Sequence, residues 1–205
     1  MALEEKVEFG TAPQFPVADE DFTMVETEKM LKVDLACGGS KSDGFIGMDK
    51  FKRDGVDIVH DLMTFPWPLK DNSVYEFHCS HYVEHIPIQL ADGTYGLNAF
   101  MEEVYRCLMP SGTIVIHAPY YTSMEAWQDP THTRAITDRT FVYYDRESME
   151  KFKLDHYTAK CNFEMVSRTY VLFPEWESRA PEVRSQAIRI YNNVVQEIRF
   201  VLRKR

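Results

Sequence analysis

Val33-Asp34-Leu35-Ala36-Cys37-Gly38-Gly39-Ser40 is the stretch from which the rest of the chain can be read. An apolar run ends in small residues with two adjacent glycines, and a second strand-like run, Phe45-Ile46-Gly47-Met48, follows and ends in Asp49. Small residues let backbone N–H groups approach a ligand, and glycine permits positive φ. A carboxylate at the end of the second strand can accept hydrogen bonds from both hydroxyls of a ribose. The pairing predicts a nucleoside cofactor held across the tips of two parallel strands. Phosphate binding is the weaker reading, because Gly38-Gly39-Ser40-Lys41-Ser42 has the spacing of neither G-x-G-x-x-G nor the Lys-Ser/Thr phosphate loop.

Outward from that loop, strands are expected over Leu31 to Ala36, Phe45 to Asp49, Val56 to His60, Val74 to Cys79 and Thr113 to Ala118. Phe65-Pro66-Trp67-Pro68 forces an extended or turning path. Asn98 to Met109 has helical spacing in Phe100, Met101, Val104, Tyr105 and Leu108, and Pro110-Ser111-Gly112 stops it. Asn162 to Phe173 is expected to supply a final antiparallel hairpin. Arg184 to Leu202 reads as a helix, with Ala187, Ile190, Tyr191, Val194, Ile198, Val201 and Leu202 in one stripe. That face either packs on its own domain or makes a homodimer contact. Strands interleaved with helices imply a Rossmann-like α/β fold, mostly parallel. Only about eight residues separate the first two strands, where a parallel crossover takes a dozen or more, so the first crossover is abbreviated. The expected division is an irregular acidic arm over 1–30, a domain over 31–178 and a basic amphipathic helix over 179–205.

Composition narrows the classes. The chain of 205 residues suits one domain with appendages. It has no apolar run long enough to span a bilayer and no basic-then-apolar leader, so the cytoplasm is the expected location and a membrane is not an expected partner. Cys37, Cys79, Cys107 and Cys161 stand far apart and read as reduced thiols. A net charge of -9 argues against a surface that coats nucleic acid generally, leaving nucleic acid open as a partner. From Arg179 onward seven Arg/Lys and two Glu give +5, a solvated basic face or a contact for acidic groups, the chain's own included.

Taken in order, these residues resemble the class I S-adenosylmethionine-dependent methyltransferases, of the small-molecule type, over roughly residues 31–173. Val33-Asp34-Leu35-Ala36-Cys37-Gly38-Gly39 is similar to the family's D-L-G-C-G loop, and Gly47-Met48-Asp49 to its ribose-binding strand end. His60-Asp61-Leu62 resembles the turn that contacts adenine. Ser80-His81-Tyr82-Val83-Glu84-His85-Ile86 resembles S-x-x-L-E-H-I, and Val104 to Gly112 the R-x-L-K-P-G-G helix stop. The resemblance implies an enzyme that uses S-adenosylmethionine. Asp34, Ala36, Cys37 and Gly38 would wall the methionine half, Asp49 would take the ribose hydroxyls, Asp61 and the Leu62 backbone would meet adenine, and the Ser80 carbonyl would meet the ammonium. The plainer reading of Asp34 is a buried acid tying down the loop, and of Asp61 a turn cap. Ala36 and Ser40 stand where the family commonly has glycines, with Ser40 the less comfortable at positive φ.

The acceptor, a small molecule or nucleotide, is expected against the segments after the fourth and fifth strands. His132 is the candidate general base, oriented by Asp129; the plainer reading is a loop held by its own Asp-Pro turn. Tyr120, Tyr121 and Trp127 offer stacking surfaces or core. Two other readings compete. His81-Tyr82-Val83-Glu84-His85 matches H-x-x-E-H, so a zinc hydrolase using His81, Glu84 and His85 is conceivable if the segment is a helix. The altered glycine loop also admits a non-catalytic cofactor-binding module. No metal ligand set is assigned.

Overall fold

The structure, a computed structural model, describes residues 30–154 and 159–205. The expected arm over 1–30 therefore lies outside the described residues except at its last position. Seven strands form one sheet: β1 (Leu31–Leu35), β2 (Ile46–Asp49), β3 (Ile58–Val59), β4 (Val74–Ser80), β5 (Leu108–Pro119), β6 (Phe163–Leu172) and β7 (Val195–Lys204). Their order is β3-β2-β1-β4-β5-β7-β6. The first five run parallel, while β7 is antiparallel to both β5 and β6. The fold is thus the expected mostly parallel α/β sheet with an antiparallel C-terminal hairpin. No helix among the described residues is long and apolar enough to cross a membrane.

The alternation along the strands sorts the sheet into two unlike faces. Val33, Leu35, Phe77, Cys79, Ile114, Ile116, Ala118, Ile198, Phe200 and Leu202 are fully buried or nearly so. Against them lies helix α1 (Gly96–Cys107), which contributes Phe100, Met101 and Val104 at helical spacing. Trp67 sits edge-on to both Phe77 and Phe100, with ring centres 5.9 and 5.5 Å away. Glu103 of α1 accepts the Trp67 N–H at 2.6 Å and the Arg106 Nε–H at 2.9 Å, closing the Pro66–Pro68 turn onto the helix. Arg106, part of the helix-stop motif, thereby has a structural job.

The opposite face presents Lys32 and Asp34 of β1, Glu76 and His78 of β4, His117 of β5 and Arg199 of β7 in neighbouring register. Parallel sheets are ordinarily buried on both sides by crossover helices. Here the β1–β2 and β2–β3 connections contain no helix, so the first crossover is not merely shortened but consists of turns. Gly47 explains how so short a connection packs: a Cβ there would lie 2.3 Å from the Gly55 carbonyl oxygen and 2.8 Å from Cys37 Sγ.

The C-terminal segment departs from expectation. Instead of a helix over 179–205, helix α2 (Pro181–Ile190) ends at Tyr191, and the chain turns through Asn193 at φ +57° into β7. The extended backbone of Tyr191 ends the helix, and Asn193, of a type that tolerates the left-handed conformation, makes the turn into the strand. The expected hairpin inside 162–173 is instead a single strand, β6, whose partner is β7. Val194, Ile198 and Leu202 satisfy helical spacing, yet Ile198, Phe200 and Leu202 also alternate with period two, and that period matches their burial. The tail is therefore no appendage: β7 lies inside the sheet, and the apolar positions left exposed beside it are Val183, Ile190 and Tyr191. Its cations meet the chain's own acids and carbonyls, Arg203 with Glu164 at 2.8 Å and Lys204 Nζ with the Leu108 carbonyl at 2.8 Å.

Candidate functional site

The tips of β1, β2 and β4 meet where the glycine loop turns. Asp34 is 3% exposed; its Oδ2 accepts the Ser42 N–H at 2.7 Å and its Oδ1 lies 2.9 Å from His78 Nδ1. Burial drives this carboxyl up, but the bonds from His78 and Ser42 outweigh it and leave it below the ordinary carboxylate value. Asp34 thus anchors the loop to the sheet, the plainer of the two readings. Ala36 has φ +53° and Gly38 φ +57°, so the left-handed turns fall at 36 and 38. Ser40 is not among the positive-φ residues. The strain expected at Ser40 falls on Ala36, at about 1–2 kcal/mol for a residue with a Cβ.

Asp49 closes the other side. Its Oδ2 accepts the Gly38 N–H at 3.0 Å and its Oδ1 the Phe51 N–H at 2.8 Å. A carboxylate has about four acceptor positions, so capacity remains for two ribose hydroxyls. Beside it opens a cleft of about 450 Å³ lined by Ala36, Asp49, Phe51, Asp61, Leu62, Tyr82 and His85 among others. That volume falls within the range of small-molecule sites, about 300–1,000 Å³. Four of the expected cofactor residues, Ala36, Asp49, Asp61 and Leu62, share this wall; Asp34, Cys37, Gly38 and Ser80 do not line it. Asp61 also caps its own turn, accepting the Met63 N–H at 2.9 Å through Oδ1. The Cys37 thiol is pushed up by burial and then by Asp34 and Asp49, and stays protonated.

Phe51 is a site residue that sequence reading missed. It is 56% exposed, lines the cleft two residues after Asp49, and offers a ring face to a planar base. An exposed aromatic so close to a candidate ribose acid was the available signal.

The Gln128-to-His132 loop reaches the cleft only indirectly. Asp129 Oδ1 accepts both the backbone N–H (2.8 Å) and the hydroxyl (2.7 Å) of Thr131, as a self-bonded turn does. Its Oδ2 lies 4.0 Å from His132 Nε2, too far for a hydrogen bond that would orient the ring. His132 Nδ1 instead lies 3.0 Å from the Ala126 carbonyl. The ring packs edge-on against His85, with centres 4.6 Å apart, and His85 is the imidazole that lines the cleft. Tyr120 is core at 4% exposure, while Tyr121 and Trp127 stand on the surface away from the cleft.

The zinc-hydrolase arrangement does not form. Residues 81–86 make turns, not a helix, and His81 bends at φ +51°. Both its nitrogens are engaged: Nε2 lies 2.8 Å from Glu197 and Nδ1 3.5 Å from Glu84. Glu197 and then Glu84 hold the imidazole up at about 10. Glu197, raised by burial, is brought down to about 2 by His81 and Arg199. The sign follows from linkage. The stabilisation from raised His81 is full below 6.5 and is lost as pH rises through about 10. That from depressed Glu197 is present above 4.5 and lost as pH falls through about 2. His81→Gln is therefore expected to destabilise the protein most near about pH 6, with the gap to the unsubstituted protein narrowing by about pH 9. Paired thermal melts at the two pH values measure it; a constant gap would remove the ion pair from the ledger.

No protein-family model matches the chain, and no curated protein matches it. Solved structures do. A SAM-dependent methyltransferase from Archaeoglobus fulgidus superposes with a TM-score of 0.50 at 19% identity, covering 85% of this chain and 86% of the other. A geranyl diphosphate C-methyltransferase from Streptomyces coelicolor A3(2) does so with a TM-score of 0.50 at 10% identity, covering 86% and 73%. With the strand order and the antiparallel hairpin, these likenesses establish that the chain has the fold of the class I S-adenosylmethionine-dependent methyltransferases.

Proposed function

We propose that the protein is an S-adenosylmethionine-dependent methyltransferase acting on a small-molecule or nucleotide acceptor. The observation that carries the reading is Asp49: a carboxylate at the tip of β2, in the wall of a cleft that also includes Ala36 from the loop and Asp61 and Leu62 from the turn after β3. Asp49 takes the ribose hydroxyls, Phe51 stacks on the adenine and Asp61 accepts from its amino group. Tyr82 and His85, which line the same cleft, would then be the residues available to the methionine half and the acceptor. Bound there, S-adenosylmethionine would supply an activated methyl group for transfer to the acceptor and would leave as the neutral thioether. The protein's share is alignment and exclusion of water. A base is required only where the acceptor arrives protonated; His132, the candidate base, acts at the cleft only by way of His85. The four cysteines are free thiols, which suits the reducing cytoplasm.

Calorimetric titration with S-adenosylhomocysteine tests the reading. One molecule per chain should bind, and saturation at about 100 times the dissociation constant should add about 2.7 kcal/mol of stability, seen as a raised melting temperature. No heat and no thermal shift at millimolar ligand would overturn it. Binding without methyl transfer to any small-molecule or nucleotide acceptor would instead support the non-catalytic module.

A further inference from the structure

We propose that Glu84, His85 and His132 form a binding site for a divalent transition-metal ion beside the cleft, which His85 alone of the three lines. One nitrogen from each imidazole and one carboxylate oxygen of Glu84 all lie within 4.8 Å of one another. Glu84 is 1% exposed, and neither of its oxygens accepts a hydrogen bond. Only His81 approaches, its Nδ1 3.5 Å from Oε1. The His81 imidazole offsets the charge on Oε1 only from that distance, and Oε2 is left with no partner; a buried carboxylate oxygen without one is costly, and a bound cation would engage it.

The tautomers of both histidines follow from their neighbours. The Ala126 carbonyl beside His132 Nδ1 can only accept, so the proton sits on Nδ1 and the Nε2 lone pair is left over. The Thr131 hydroxyl gives its proton to Asp129, so toward His85 Nδ1, 2.9 Å away, it can only accept. His85 therefore also carries its proton on Nδ1 and keeps Nε2 open. Metal-ligating histidines characteristically donate their second N–H to a carbonyl or to a group backed by a carboxylate. Asp129, unfit to orient a base, acquires a purpose as the anchor behind His85. The two halves of the site are tied together, since Thr133 donates its N–H to the Glu84 carbonyl at 2.8 Å and its hydroxyl to the Ile86 carbonyl at 2.6 Å.

Two imidazoles and one carboxylate suit zinc, iron(II) or manganese rather than calcium or magnesium. Three protein ligands leave a coordination position open. Because His85 lines the cleft, that position can take an oxygen of the acceptor; this last role rests on the methyl-transfer reading, whereas the site itself does not.

The test is calorimetric titration of the full chain, prepared without a polyhistidine tag and stripped with chelator, with Zn²⁺ and separately with Mg²⁺. S-adenosylhomocysteine affinity is measured on the same preparations. One Zn²⁺ should bind per chain and Mg²⁺ should not. Glu84→Gln and His132→Ala should each weaken Zn²⁺ by about 100-fold or more, and Thr131→Val, behind His85, by about 10-fold. Should Glu84→Gln fail to fold, His132→Ala decides alone. No Zn²⁺ heat, or unchanged affinity in the folded variants, would overturn the site. Zn²⁺ binding without S-adenosylhomocysteine binding would keep the metal site and remove the methyl-transfer reading; the converse would do the opposite.

Discussion

Phe200→Ala is expected to lower the free energy of unfolding by about 3–5 kcal/mol. Phe200 is fully buried in β7, paired with Ile116 of β5, and its ring meets Phe141 edge-on with centres 4.8 Å apart. Truncation leaves a cavity between the sheet and the Thr140–Tyr144 turn that the closed strand pairing on both sides of β7 cannot collapse. Val201→Ala, one residue on and on the opposite, half-exposed face, should cost only about 1 kcal/mol or less. Urea unfolding of the two variants reads the difference directly. The pair discriminates: in a helix carrying the Val194–Ile198–Val201–Leu202 stripe, Val201 would be the costly position and Phe200 the tolerant one. Equal losses, or that reversed order, would contradict the strand.

The second large effect is on binding. Asp49→Asn is expected to weaken S-adenosylhomocysteine by about 10- to 100-fold. Charge-assisted hydrogen bonds are worth about 1.5–3 kcal/mol each, and 1.4 kcal/mol is tenfold in affinity. Asparagine keeps a carbonyl oxygen for one of the two loop N–H groups that Asp49 now accepts, so the loop is not simply released. The control is Asp34→Asn, which disturbs the buried His78 and Ser42 contacts and should act chiefly on stability. Calorimetry and thermal melts on both variants separate the two outcomes. Unchanged affinity in Asp49→Asn would end the ribose assignment.

The two aspartates show how far residue type and spacing carry. Both were visible at strand ends, and their chemical possibilities were clear. Their division of labour was not, because it depends on what stands opposite: His78 lies 44 positions from Asp34, whereas Asp49 faces a cleft. The orientation of His132 by Asp129 does not form, for a related reason. Three residues apart they looked like an oriented pair, but Asp129 turns back on Thr131 and His132 turns to Ala126. Phe51 escaped notice because an aromatic in a loop has no period to mark it.

The order of elements through β5, the parallel sheet, the glycine turn and the strand-end acid were all legible in the chain alone. They rest on alternation, helical spacing and turn chemistry, which act over a few residues and survive in any context. Three features required the folded molecule: β7 inserted between β5 and β6, the polar outer sheet face, and the meeting of Glu84 and His85 with His132. An apolar run fitting both a helix and a strand takes the form whose neighbours bury it best. That choice, like the approach of side chains nearly fifty positions apart, is settled by long-range packing energy that no local pattern encodes.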